Sequence, residues 1–400
     1  MPRLYFLDWV RILAFFVLIV FHVGMYYVSW DWMVKSPHAG TAIEPFMMLS
    51  SPWRLSLLFL VSGVASGCML ARAMLAGGGP AAFVRARRRR LLRPLLFGML
   101  VIVPPQPYFE VVEKLGYDGG YLQFMRLYLS AYHGFCQRGC LLLPTWNHLW
   151  FVAYLFVYTL VLALLAWALG PRWARLGERI GAALTGWRIV ALPAGALALV
   201  RVLLVERFEQ THALIDDWYA HAWYLIPFLL GALLAHHPGV WPRIAGQRWA
   251  CLGIAVSCWA VLTLGWSLPW SALAGTPRAL LRYPMHGLYA LLTWSAILAA
   301  CGFAQRHLDR DGPARRYLAE AVFPVYILHQ TIIVLLAHGM KPLHLAPGLE
   351  AILLIVLTTT FSFAGFEAVR RIPVLRPVFG LPRRSGKPAA TTRPLAPEAA

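Results

Sequence analysis

Charge is what this chain has least of. Asp and Glu together number 17 in 400 residues, and charged residues of both signs make up 13%, about half of what a soluble domain carries. A water-soluble cytosolic enzyme is thereby excluded. Cysteine is also scarce, at six. Cys68, Cys251, Cys258 and Cys301 fall inside apolar runs and read as small packing residues. Cys136 and Cys140, in CQRGC, sit on a polar connection where an oxidising compartment permits a disulfide, although spacing alone does not establish one. A metal site adding His133 would lack a second ligand pair at recognisable spacing, so no metal is expected. What is abundant is apolar: 60% hydrophobic residues, 14% aromatic, which excludes a disordered chain.

The apolar residues fall in ten runs: 8–28, 52–75, 91–108, 147–169, 187–206, 218–236, 248–266, 284–303, 317–336 and 347–368. Each is long enough, at about 1.5 Å per residue, to cross some 30 Å of hydrocarbon. The expected fold is therefore all-α and polytopic, with about ten transmembrane helices. The net charge of +19 would suit nucleic acid, but 26 of the 36 Lys and Arg residues fall on alternate connections. That asymmetry is the positive-inside pattern, and it puts both termini in the cytoplasm, with membrane lipid rather than nucleic acid as the charged partner. Asp8, Arg11 and the bulky Met25, Tyr26 and Tyr27 argue against a cleaved leader, so the first helix is expected to stay as an anchor. No connection holds a soluble domain, which gives one membrane domain over 1–380. The stretch 381–400, rich in Pro, Ala and Arg, reads as a disordered cytoplasmic tail.

Ionisable groups inside a span are costly and need a reason. Three share the first helix. At about 100° per residue, Asp8, Arg11 and His22 line one face, with His22 about 16 Å deeper than Arg11. The stripe reads either as a path across the membrane or as a snorkelling Arg11 paired with Asp8 and a satisfied interior histidine. His148 opens the fourth span after Asn147, and His329 lies in the ninth with Tyr326 three residues earlier.

The opening RLYFLDWVRILAFFVLIVFHVG, the second span WRLSLLFLVSG and the late segment YLAEAVFPVYILHQTII together resemble the acyltransferase 3 family of multi-spanning membrane enzymes. Within that family the likeness is closest to the glucan-modifying branch, of the osmoregulated periplasmic glucan biosynthesis protein C type. Arg11 and His22 match the motif of an Arg, ten intervening residues and a His. Arg90 and Arg93, in FVRARRRRLLRPLL, match the Arg-x-x-Arg, and Phe59, Ser62 and Gly63 match Phe-x-x-Ser-Gly. One departure stands out: the family's fourth span often carries a glutamate after Trp-Ser-Leu, where this chain has HLWFVAY.

The resemblance implies a bacterial inner-membrane enzyme that moves an acyl group from cytoplasmic acyl-CoA, succinyl first and acetyl second, to a hydroxyl of a periplasmic or surface glucan. Acyl-CoA is then a substrate, and no permanently bound cofactor is expected. Phosphates on the donor favour guanidinium groups, which casts Arg11, Arg90 and Arg93 as donor-binding residues, against a plain anchoring role for the arginine run. A sugar hydroxyl needs a general base, and histidine, which titrates near neutrality, is suited to that role, with His22 the candidate. Asp8, Arg54, Ser62, His148, Tyr326 and His329 are supporting or acceptor-binding candidates. Ser62 reads equally as part of a small-residue packing motif, which leaves a covalent acyl-enzyme the less favoured route. Arg54, at the outer end of the second span, could meet an anionic acyl terminus. Asp31, Glu44, Trp30, Trp32 and Trp53 nearby form either a sugar platform or an interfacial aromatic belt. Arg201 is expected to pair near Glu206 for structural reasons. The rival function is a transporter or flippase moving a polar solute along the Arg11 to His22 stripe; a non-catalytic partner of a glycan synthase is a third.

Overall fold

A computed structural model describes residues 4–137, 139–266 and 276–383. Among these, the fold is all-helical and contains no named strand. In chain order the helices are α1 (Tyr5–Tyr27), α2 (Glu44–Ser50), α3 (Arg54–Leu75), α4 (Gly79–Phe97), α5 (Pro105–Leu115), α6 (Tyr121–Leu129), α7 (Trp150–Leu169) and α8 (Arg172–Ala183). There follow α9 (Arg188–Leu204), α10 (Trp218–Leu234), α11 (Val240–Gly246), α12 (Arg248–Trp266), α13 (Thr276–Leu308), α14 (Pro313–Met340), α15 (Pro347–Arg371) and α16 (Leu375–Val378). The long helices are apolar nearly all round, as spans that bury one side and face lipid with the other must be. Proline stands in the first turn of α4, α5, α14 and α15, where its missing N–H costs nothing.

Every apolar run read from the sequence contains a helix. Seven are long and apolar enough to cross a membrane, and nine if two bent pairs each count once. The first pair joins α4 and α5 through a π-helical turn at Gly98–Ile102 and bends by 42°. Pro104 and Pro105 explain the break: neither has an N–H to return to the preceding turn. The second pair, α8 and α9, bends by 114°. There α8 buries Trp173, Gly177 and Gly181 on one stripe and exposes Arg172, Arg175 and Arg179, the pattern of a helix lying along a membrane surface. Helix α10 has 17 residues, about 25 Å at 1.5 Å each.

Hydrogen bonds sort the connections into two sets, one at each end of the bundle. At one end Phe6 N–H donates to Asp309, Arg376 to Glu320, and Arg243 to Gly181 O. At the other, Lys114 bonds Asp31, Lys341 bonds Glu113, and Trp146 donates to His212 O. The arginine run of α4 belongs to the first end. Cys136 and Cys140, on the connection after α6, are joined as a disulfide.

The tightest packing is between α3 and α10. A Cβ on Gly63 would lie 2.0 Å from Phe228 O, one on Gly67 2.5 Å from Ala232 O, and one on Gly231 2.2 Å from Leu60 O. Three glycines thus let two backbones touch, as small residues do between membrane helices. Packing also runs further than expected at the far end: Leu381 is buried, and Arg376 Nε donates to Pro382 O at 2.8 Å. The rest of the predicted tail, from 384, lies outside the described residues.

Candidate active site

The stripe on α1 faces α14. Asp8 bonds Arg315, Arg11 Nη2 donates to Ala319 O at 3.4 Å, and His22 meets His329 at 2.8 Å. The partners are separated by 307 or 308 positions each time, so the two helices run parallel and in register along the stripe. At the Asp8 end this gives an ion-pair network: Arg315, 1% exposed, is held by Asp8 and by Asp311 at 2.7 Å. At the His22 end it gives three histidines. The His22 and His329 rings stack at 5.1 Å between centroids, and His148 stands edge-on to His329 at 5.2 Å.

The tautomers follow from the backbone. Carbonyl oxygens only accept, so His329 Nδ1 donates to Tyr326 O at 2.6 Å. In the neutral ring Nε2 is then an acceptor, and His22 Nδ1 donates to it. The His22 lone pair is thereby left on Nε2, which has no partner among the described residues. His148 is fixed the same way: Nε2 donates to Ile327 O at 3.1 Å, and Nδ1 accepts from Gln106 Nε2 at 3.3 Å. Tyr326 OH donates to His148 O, tying the ninth apolar run to the fourth.

Amides and a hydroxyl hold this arrangement from behind. Gln106, fully buried at the start of α5, donates to Thr331 Oγ1 at 2.7 Å, and its Oε1 accepts from Asn147 at 3.1 Å and Gln330 at 3.2 Å. Thr331 in turn donates to Ile102 O at 2.7 Å. The break between α4 and α5 thus delivers Gln106 to the site, and Thr331 takes up a carbonyl from the last residue of the π turn. Gln106, Gln330 and Thr331 were not singled out in the sequence. For Gln330 and Thr331 the signal was a polar side chain beside His329, in HQT; Gln106, in PPQP, had no candidate next to it in the chain.

Of the predicted residues, His22, His148, Tyr326 and His329 come together. Asp8 and Arg11 are about 21 and 16 Å from His22 along α1. Arg90 and Arg93 are exposed on α4 at the Asp8 end, about 20 Å or more along the chain axis from Gln106. Arg87, in the same run, is buried, with Nε 3.4 Å from Thr159 Oγ1 and Nη2 unpartnered among the described residues. Ser62 is half-buried on α3 beside the glycine contact with α10, and its carbonyl accepts from Ser66 Oγ at 2.7 Å. Arg54, buried, opens α3 with its guanidinium 3.2 Å from the centroid of Phe21, the neighbour of His22.

Trp32 is buried, Trp53 donates to Leu49 O at 2.6 Å, Asp31 bonds Lys114 and Glu44 accepts from Ser29 N at 3.1 Å. Arg201 does not pair with Glu206: it donates to Tyr219 OH at 2.7 Å and stacks on Tyr289, while Glu206 takes Arg282. Helix α9 ends at Leu204, so Glu206 lies on the turn that follows, where it meets Arg282 instead. A cavity of about 480 Å³ lies between α1, α2 and α15; it is apolar and His22 does not line it. Among the described residues no group of three His, Cys, Asp or Glu is placed to hold a metal ion.

An all-helical, multi-pass bundle with a histidine relay between two parallel spans is thus defined as the class. Residues 4–367 match the acyltransferase domain of the acyltransferase 3 family, and the chain belongs to that family. It is similar over 396 residues to glucans biosynthesis protein C of Salmonella gallinarum (strain 287/91 / NCTC 13346), at 23% identity covering 97% of this chain and 96% of that protein. No solved structure matches the chain.

Proposed function

We propose that this membrane acyltransferase O-acylates a periplasmic or surface glucan, using cytoplasmic acyl-CoA, with succinyl the first donor group and acetyl the second. The observation that carries the reading is the pair His22 and His329, which leaves a histidine lone pair on Nε2 of a half-buried ring. The supporting likeness is to a protein named for glucan biosynthesis.

In the proposed reaction His22 Nε2 takes the proton of the acceptor hydroxyl as its oxygen attacks the thioester carbonyl carbon. The C–O bond forms, the C–S bond breaks, and the proton passes from His22 to the departing thiolate, so that ester and free CoA leave. His329 stabilises the cationic His22 ring by accepting from Nδ1, an orienting role like that of the third member of a hydrolytic triad. Arg90 and Arg93, with Arg11, mark the end where the donor's phosphates bind. The basic residues gathered at that end support its facing the cytoplasm, with ten crossings and both termini inside. A long flexible thioester arm then covers the distance to His22.

A transporter path along the stripe has less support, because Asp8 and Arg11 are tied to α14 and only His22 Nε2 stays open, at one end of the stripe. The test is mass spectrometry of periplasmic glycans from cells with and without the gene, and with His22→Ala. Loss of acetyl or succinyl mass increments in both deficient strains is expected. Unchanged spectra under conditions that express the protein would remove the proposal.

A further inference from the structure

Four arginines are buried among the described residues: Arg54, Arg87, Arg315 and Arg376. Arg315 is held by two aspartates, Arg376 by Glu320 and two carbonyls, and Arg87 by Thr159. Arg54 has no hydrogen bond and no ion pair among the described residues. It is 5% exposed, and both Nε and Nη1 are without a partner. Phe21 beneath it offers only a ring face.

Such a group is expensive to keep. A buried guanidinium needs an anion or several acceptors to offset its lost hydration. Here the position makes matters worse, because Arg54 is the first residue of α3, where the helix dipole already presents positive charge. A cation at that end, with open N–H groups, is a site waiting for an anion. Its location narrows the choice: the guanidinium lies against one face of Phe21, and the Phe21 ring is 6.0 Å from that of His22. The Arg54 guanidinium and the His22 ring thus both lie against the Phe21 ring, which puts the open cation close to the proposed base.

From this we infer that Arg54 binds the free carboxylate of a dicarboxylic acyl group, and so selects succinyl-type donors over neutral ones. The inference rests on the acyl-transfer reading above. Guanidinium and carboxylate match as a two-point contact, which a neutral acyl end cannot supply. A lysine would keep the charge and lose that geometry.

The experiment uses the full-length protein in lipid nanodiscs with glucan acceptor, and compares succinyl-CoA with butyryl-CoA, similar in length but uncharged at its end. For Arg54→Gln the ratio of succinyl to butyryl transfer is expected to fall about 100-fold, and Arg54→Lys to recover part of it. Equal loss with both donors, or a wild type that transfers butyryl as readily as succinyl, overturns the inference while leaving acyl transfer standing. If Arg54→Gln fails to fold, the wild-type melting temperature decides: succinate should raise it and butyrate should not, and an equal response refutes the site. If the wild type transfers no acyl group yet succinate protects it and not Arg54→Lys, the anion site stands and the acyltransferase reading falls. Neither transfer nor a succinate response would remove both.

Discussion

His22 Nδ1 and His329 Nε2 lie 2.8 Å apart across two parallel helices, and the His329 ring is itself pinned by Tyr326 O at 2.6 Å. The relay makes His329 a positioning residue for His22, which gives a test with a shape of its own. His22→Ala should lower acyl transfer by about 1000-fold and His329→Ala by about 100-fold. Because both act through one lone pair, the double variant should be no worse than His22→Ala alone. Transfer rates measured on the three variants check this, and additive losses would show that the two rings work independently.

The helices were legible in the sequence because a span must be apolar over its whole length, so even the bent segments near 91–108 and 187–206 announced themselves. Which faces meet was not legible. Nothing in the order of residues couples Asp8 to Arg315 or His22 to His329 across 307 positions, and Arg315 reads as one more cytoplasmic cation until Asp8 and Asp311 are seen around it. Gln106 was hidden for a different reason. Its role depends on the break at Pro104 and Pro105, which in a hydropathy reading only shortens a span.

Gly63 should tolerate no side chain. Its Cβ position is 2.0 Å from a backbone oxygen of α10, and backbone cannot rotate away as a side chain can. Gly63→Ala is therefore expected to destabilise by about 1–3 kcal/mol, and Gly63→Leu to prevent folding. Gly253, with nothing within 4 Å of its Cβ position, is the matched control. Thermal unfolding in detergent should separate the two alanine variants.

Donor binding at the arginine end should show as a KM effect. Arg90→Ala and Arg93→Ala would remove the proposed phosphate contacts, which would hold ground and transition states alike, so KM for acyl-CoA should rise about tenfold with kcat kept. Arg87→Ala differs, since this buried side chain also bonds Thr159 between α4 and α7. It should lower melting temperature as well. Steady-state kinetics with succinyl-CoA, beside melting curves, distinguish the two kinds of arginine.

Stability should fall in mild acid because of His212, on the connection between α9 and α10. Its ring stacks on Trp150 at 4.0 Å, and burial pushes its pKa down to about 4, against the opposing pull of Asp217. In the unfolded chain the group titrates near 6.5, so between about pH 6.5 and 4 the unfolded state binds the extra proton. Stability is then complete above about pH 6.5 and declines as pH falls toward 4, by about 2 kcal/mol once the ring's partial exposure is allowed for. Replacing the imidazole by a group that does not titrate, His212→Gln, should flatten the decline over that window whatever it does to stability at neutral pH. Melting temperatures of wild type and variant taken at half-unit steps from about pH 7 to 4 give the comparison. Parallel curves would mean that the ring stays neutral in both states, or charged in both, and that the acid response comes from other groups. Asp311 adds to the decline only at the acid end of this range: hydrogen bonds from Arg316 and Arg315 hold its folded carboxyl well below the usual carboxylate value, so the unfolded chain alone begins to take up that proton there.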